Sequence, residues 1–258
     1  MSNTNKIDQM LGVAIGPATL KQLEEKVKAK ISKSDKNPFV FACANPHSLV
    51  VAQNDKPFMD ALNMASATVA DGAGVTMVSK FLNMNTGPRI TGHDFFEMTM
   101  KYLNKIKGRV FFFGSSDHVL NEIRKQLEIT YPDIVLAGTL SPPFREWTTE
   151  ENTDMINSIN AAAPDVLWVG MTAPKQEKWI EENRHALNVS IIGAIGAVFD
   201  FFAGTYPRAP KLATKLGIEW LFRLIKEPKR MWKRNFVSTP LFLYYCFIQH
   251  VILRKHKK

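Results

Sequence analysis

Along most of the chain, short apolar runs rich in β-branched and aromatic residues alternate with longer stretches whose apolar residues recur every three or four positions. The first pattern predicts strands and the second amphipathic helices. "NPFVFACA", "ATVA", "RVFFFG", "IVLAGT", "DVLWVGM" and "VSIIGAIG" read as strands. "PHSLVVAQNDKPFMDALNMA", "DHVLNEIRKQLEITYP", "TEENTDMINSINAAAP" and "APKQEKWIEENRHALN" read as helices. Near the N-terminus, "LGVAIG" followed by "PATLKQLEEKVKAKI" adds a further strand and helix. This alternation implies βαβ crossovers, and therefore an α/β fold: a parallel, Rossmann-like sheet with helices on both faces.

After Gly204 the texture changes. "TYPRAPKLATKLGIEWLFRLIKEPKRMWKRNF" carries Leu, Trp, Phe and Ile on one helical face and Lys and Arg on the other, punctuated by Pro207, Pro210 and Pro228. The expected division is an α/β domain over 1–204 and a basic amphipathic helical appendage over 205–258. From Tyr206 to Lys258 there are 13 Lys and Arg against 2 Asp and Glu, a net of +11 within a whole-chain charge of +9, which leaves −2 for the first 205 residues. Such a block suits nucleic acid, anionic lipid headgroups or a phosphorylated substrate, and charge alone does not choose. "VSTPLFLYYCFIQHVIL" is uncharged, but at 17 residues it is shorter than the ~20 a spanning helix needs and includes Ser238, Thr239, Pro240, Gln249 and His250. An interfacial helix is the expectation. Two distant cysteines, Cys43 and Cys246, make neither a disulfide framework nor a zinc knuckle. With no basic stretch leading into an apolar run at the start of the sequence, a secretory signal is not expected and a reducing, cytoplasmic setting is.

Ligands of open parallel sheets bind beyond the carboxyl ends of the strands, and there the sequence is polar and rich in glycine. The candidates are Asn45, Asp71 with Gly72 and Gly74, Gly114, Thr172, Gln176 and Gly196. Asp71 has two readings: a helix N-cap, or a base that accepts a hydroxyl proton. Asn45, before Pro46, closes a turn or offers a donor and an acceptor to a ligand. "FFFGSSDHV" is a strand, a glycine and a helix start, an anion-friendly arrangement. Neither it nor "IIGAIGAVFDFFAG" matches the G-x-G-x-x-G or G-x-x-x-x-G-K-[ST] spacing, which disfavours NAD or ATP binding and an oxidoreductase of Rossmann type. The six histidines are scattered and D-x-D does not occur, so no metal site is expected. A bound diphosphate would then fall to helix N-termini and to Arg89, Arg208, Arg223 and Arg230.

Taken together, "DGAGV", "GPRITGHD", "GMTAPKQEKWI", "GAIGAVFDFFAGTYPRAP" and "LGIEWLFRLIKEPKR" resemble the WecG/TagA/CpsF family of bacterial glycosyltransferases. The resemblance implies a nucleotide-sugar-binding catalytic domain that moves an N-acetylhexosamine, with inversion, from a UDP-sugar donor to a lipid-linked diphosphate acceptor. A cofactor or metal is not expected. It implies Asp71 as the catalytic carboxylate, with Asn45, Arg89 and Gln176 in the pocket. Arg208, Arg223 and Arg230 would lie in an appendage that closes over the site and meets an anionic membrane surface on the cytoplasmic side. Nucleic acid is not an expected partner, and homo-oligomer formation stays open. Where teichoic-acid members carry a Thr two residues before the Asn, this chain has Cys43, a poorer hydrogen-bond donor. The rival reading is a non-catalytic membrane- or nucleic-acid-binding module resting on the basic tail, whose aromatic residues Trp220, Phe222, Trp232 and Phe236 are spaced for a packing face more than for stacking on bases.

Overall fold

A computed structural model describes residues 8–33, 37–207, 224–226 and 228–255. Six strands, β3 (Phe39–Ala44), β4 (Ala67–Ala70), β5 (Arg109–Gly114), β6 (Val135–Leu140), β7 (Val166–Gly170) and β8 (Ile191–Ala194), form one sheet in the order β4-β3-β8-β7-β5-β6, with every pairing parallel. The six apolar runs of the sequence are these six strands. They read as continuous runs because both faces of a parallel sheet are covered. One face carries α1 (Leu20–Lys33), α5 (Gly92–Ile106), α6 (Asp117–Thr130) and α9 (Val198–Ala203); the other carries α3 (Lys56–Met64), α7 (Thr149–Ala161) and α8 (Lys175–Asn183). At the centre of the first face, Trp168 of β7 meets Phe95 and Phe96 of α5 at ring-centroid distances of 6.0 and 5.1 Å, and its indole N–H donates to the Met100 sulfur. Gly193 of β8 lies opposite Trp168 in register, and a Cβ there would enter the indole ring.

Two elements differ from the pattern-based expectation. The N-terminal apolar run is not a strand of the main sheet: Val13–Ile15 (β2) pairs antiparallel with Asp8–Met10 (β1) in a separate hairpin, turned by Leu11 and Gly12 at positive φ. The long helix expected after β3 is two, α2 (Pro46–Ala52) and α3, because Asp55 caps a new start by accepting from the Phe58 N–H and Pro57 occupies the first turn. Two further helices, α4 (Ala73–Phe81) after β4 and α5 before β5, complete the connection between those strands.

At the C-terminus, α10 (Pro228–Trp232) passes through a π-helical segment, Lys233–Ser238, into α11 (Thr239–Lys255). The basic helices read across 208–223 lie outside the described residues. In α11, Phe242 and Cys246 are buried in the cluster formed by the hairpin, α2 and α3, and Gln249 completes that stripe. Gln249 accepts from the Leu11 N–H at 3.0 Å and donates to the Gln9 carbonyl at 2.9 Å, clamping helix to hairpin. The opposite side of α11, with Leu243, Tyr244, Phe247 and Ile252, is exposed. Among the described residues, no helix is long and apolar enough to cross a membrane.

Candidate active site

Four neighbouring strands, β4, β3, β8 and β7, bring their carboxyl ends together over about 14 Å at a strand spacing near 4.8 Å. The helix that follows β8 leaves towards one face of the sheet and those that follow β3 and β7 towards the other. This splay opens a crevice at the strand ends. Ala44 of β3 is level with Ala70 of β4, so Asn45 and Asp71 leave the sheet side by side, and the Asp71 N–H extends the ladder by donating to the Ala44 carbonyl at 2.8 Å.

The N-cap position of α4 belongs to Gly72, at φ +91°, which has no side chain to offer, and Asp71 stands one residue before it. The glycines have a steric reason: a Cβ on Gly74 would stand 3.0 Å from Pro46 Cγ, so α4 starts hard against the turn that carries Asn45. Asn45 itself does cap. Its Oδ1 accepts from the Ser48 N–H at 3.0 Å while Ser48 Oγ accepts from the Asn45 N–H, a reciprocal capping box. With Oδ1 so engaged, Nδ2 is the group that Asn45 can turn to a ligand.

Arg89 is drawn in by the backbone, since the Ile90 N–H donates to the Ala70 carbonyl at 3.1 Å and sets residues 89–91 beside the exit of β4. Its guanidinium is partly buried there. Cys43, one register step before Ala44, receives a hydrogen bond from the Gly92 N–H at the start of α5. Burial, then the carboxylates of Asp71, Glu177 and Asp94, push its thiol well above the ordinary range, so it is a neutral thiol.

From β8, Gly196 turns at φ +47°, and a Cβ there would lie 3.5 Å from Gln176 Oε1. Gln176 and Glu177 occupy the first turn of α8 and are each only 6% exposed. Gln176 Nε2 donates to Glu177 Oε1 at 2.8 Å. Burial drives the Glu177 carboxyl up to about 7 against the pull of that hydrogen bond. The sequence reading missed Glu177, because a glutamate in a first helical turn looks like an ordinary complement to the helix dipole. The overlooked signal is its spacing: Gln176 and Glu177 stand three or four residues before the buried Trp179 and Ile180, on the inward face.

Two further candidates follow β7 and β5. Thr172 is exposed and closes the turn into α8 with its carbonyl, which accepts from the Lys175 N–H. Gly114, at φ +123°, faces Gly170 across β5 and β7, where a Cβ would come within 2.5 Å of the Gly170 carbonyl oxygen; the α6 start beyond it is capped by Ser116. Arg208 and Arg223 lie outside the described residues, as does the side chain of Arg230, whose backbone belongs to α10. Among the described residues, no group of three or more His, Cys, Asp or Glu is disposed to hold a metal ion.

The carboxyl edge of this α/β sheet gathers a carboxylate, two carboxamides, a partly buried guanidinium and a buried carboxyl, a set of hydrogen-bonding groups suited to a polar ligand. The sequence profile of the glycosyl transferase WecG/TagA/CpsF family matches residues 9–256, and the chain belongs to that family of glycosyltransferases. Among its relatives is an N-acetylglucosaminyldiphosphoundecaprenol N-acetyl-beta-D-mannosaminyltransferase of Staphylococcus aureus strain MW2, 30% identical over 243 residues that cover 94% of this chain and 92% of the relative. Proteins of the same name from strains NCTC 8325 and MRSA252 match with the same identity and coverage.

Proposed function

We propose that this enzyme transfers an N-acetylmannosamine-type sugar from UDP to a polyprenyl-diphosphate-linked N-acetylglucosamine, with inversion and without a metal ion. The observation that carries this reading is the placement of Asp71: a carboxylate at the exit of β4, one residue before the N-cap position of α4, beside Asn45 and Arg89 and on the same crevice as Gln176. Asp71 takes the proton of the acceptor hydroxyl as its oxygen forms a bond to the anomeric carbon. The bond from that carbon to the UDP oxygen breaks on the opposite side, and UDP leaves with the electron pair. Arg208, Arg223 and Arg230 are the proposed partners of the departing diphosphate, since oriented charge at the leaving group lowers the barrier most where water is excluded. Names of the staphylococcal relatives support the donor sugar and the lipid acceptor.

The lipid acceptor calls for a membrane surface, and the exposed face of α11, with Trp232 and Phe236 before it and Lys233 and Arg234 between, supplies apolar and basic groups together. The proposed location is peripheral, on the cytoplasmic face of the plasma membrane. The test incubates purified protein with a panel of UDP-sugars, including N-acetylmannosamine, glucose and uronic-acid donors, and a short-chain prenyl-diphosphate N-acetylglucosamine, with and without EDTA, and reads the mass of the lipid product. The expected result is addition of one N-acetylhexosamine in both conditions. Asp71→Asn is expected to lower transfer by about 10²- to 10⁴-fold while UDP binding is kept; full turnover in that variant would remove Asp71 as the base. A mass gain of glucose or uronic acid would reassign the donor.

A further inference from the structure

Gln176 and Glu177 are consecutive on a helix, where neighbouring side chains ordinarily diverge by about 100°. Here they converge into one hydrogen bond, Gln176 Nε2 to Glu177 Oε1 at 2.8 Å. That bond leaves an oxygen on each side, Gln176 Oε1 and Glu177 Oε2, buried and without a hydrogen-bond partner among the described residues. Folded proteins rarely leave two adjacent buried acceptors unpaired, because each has given up water and gained nothing. The location of the pair explains it. Gln176 lies against the Gly196 turn at the carboxyl end of β8, and the Glu177 charge is felt at Cys43 together with that of Asp71. Gln176 Oε1 thus lies behind the Gly196 turn, where the crevice opens at the end of β8.

A carboxamide has two nearly isosteric ends, and either can face a ligand unless something holds one of them. Ionised Glu177 has acceptors only, so it can engage only the NH2 end. We propose that Glu177 is a positioning residue of the transfer site: by binding Gln176 Nε2 it turns the Gln176 carbonyl oxygen to the ligand, so that Gln176 recognises a hydrogen-bond donor, an O–H or N–H of the nucleotide sugar. The inference rests on the glycosyltransferase reading for the identity of that ligand. It explains why a carboxyl that is costly to bury stands next to the glutamine, and why no group among the described residues occupies the two oxygens. A purely architectural carboxyl in this position would be replaceable by an apolar side chain of similar volume at no loss of function.

The experiment compares wild type, Glu177→Leu and Glu177→Gln by calorimetric binding of UDP and of UDP-N-acetylmannosamine, by the KM and kcat of transfer, and by thermal melting. Glu177→Leu releases the carboxamide, and the expected result is a rise in Kd and KM for the nucleotide sugar of about 10-fold, the equivalent of one hydrogen bond, at a melting temperature equal to or above wild type. Glu177→Gln can meet Gln176 with either an oxygen or an NH2, so it holds the carboxamide in the wild-type orientation only in part and is expected to fall between wild type and Glu177→Leu. A folded Glu177→Leu protein with unchanged Kd and KM, or a folded Glu177→Gln protein impaired more than Glu177→Leu, would overturn the assignment. Should Glu177→Leu not fold, the exchange of Gln176→Glu with Glu177→Gln decides: the pair is reversed but an oxygen still faces the ligand, so binding is expected to recover relative to Gln176→Glu alone, and no recovery refutes the proposal. Wild-type protein that binds neither probe would remove the transferase reading itself, whereas wild type that binds and turns over beside an unaltered Glu177→Leu removes this inference alone.

Discussion

Glu177→Gln gives a stability effect whose size and pH dependence follow from the burial of one carboxyl. The folded protein holds Glu177 at a pKa of about 7, against an ordinary glutamate value of 4.5, and desolvation is the leading cause. A folded pKa raised above the unfolded one means that the burial is best tolerated below pH 4.5 and that stability is lost as pH rises through 7. At 1.36 kcal/mol for each tenfold change, the gap costs the fold about 3 kcal/mol once pH exceeds both values, and under about 1 kcal/mol at pH 5. Glutamine has nearly the same shape, keeps a carbonyl for Gln176 Nε2 and has no proton to lose. The variant is therefore expected to be about 3 kcal/mol more stable than wild type at pH 8.5, equivalent to ~6–12 °C in melting temperature for a chain of this size, with most of the difference gone at pH 5. Guanidinium unfolding of both proteins at pH 5.0, 6.0, 7.0 and 8.5 measures this. A stability difference that is the same at every pH, or wild type more stable at pH 8.5, would refute the claim that Glu177 is buried at the cost of its charge.

Three other outcomes follow from the same reasoning. His47, held at about 4 by burial and by the nearby Arg234 and Lys233, hydrogen-bonds Ser238 through Nδ1; a depressed histidine contributes stability that is lost as pH falls from 6.5 through 4, so His47→Asn is expected to flatten wild-type acid sensitivity between pH 7 and 4.5, and an unchanged pH profile in urea unfolding would count against it. Gly193→Ala forces a methyl into the Trp168 ring and is expected to cost about 1–3 kcal/mol by overpacking; a melting temperature equal to wild type would show that the indole can shift freely. Trp232→Ser with Phe236→Ser removes two exposed aromatic rings that pack on each other at 4.4 Å, and co-sedimentation with vesicles containing anionic lipid is expected to fall while UDP binding holds; equal sedimentation would move the membrane contact elsewhere.

The candidate site was legible in part, for a reason that particular residues show. Asp71, Asn45 and Gln176 were found because each follows a run of buried strand residues and the rule for parallel sheets points to those positions. Gly114 satisfies the same rule, yet its missing side chain answers to the close approach of Gly170, which depends on β7 being its neighbour. Glu177 follows no such rule, since inward and outward glutamates in a first helical turn are spelled alike. One residue of register, with Gly72 at the start of α4, puts Asp71 before the N-cap position instead of in it.

The sequence by itself determined the alternation of buried strands and amphipathic helices, the concentration of basic charge at the C-terminus and the family motifs, because periodicity, composition and short motifs are local properties of a string. Tertiary structure decided which strands are neighbours, and so which loops share a crevice: β4, β3, β8 and β7 stand together although residues 71 and 176 are more than a hundred positions apart. It decided too that "LGVAIG" forms a hairpin and that α11 packs on it through Phe242, Cys246 and Gln249 instead of lying free. The order of strands and the docking of helices are set by long-range burial and hydrogen-bond satisfaction, which no window of neighbouring residues contains.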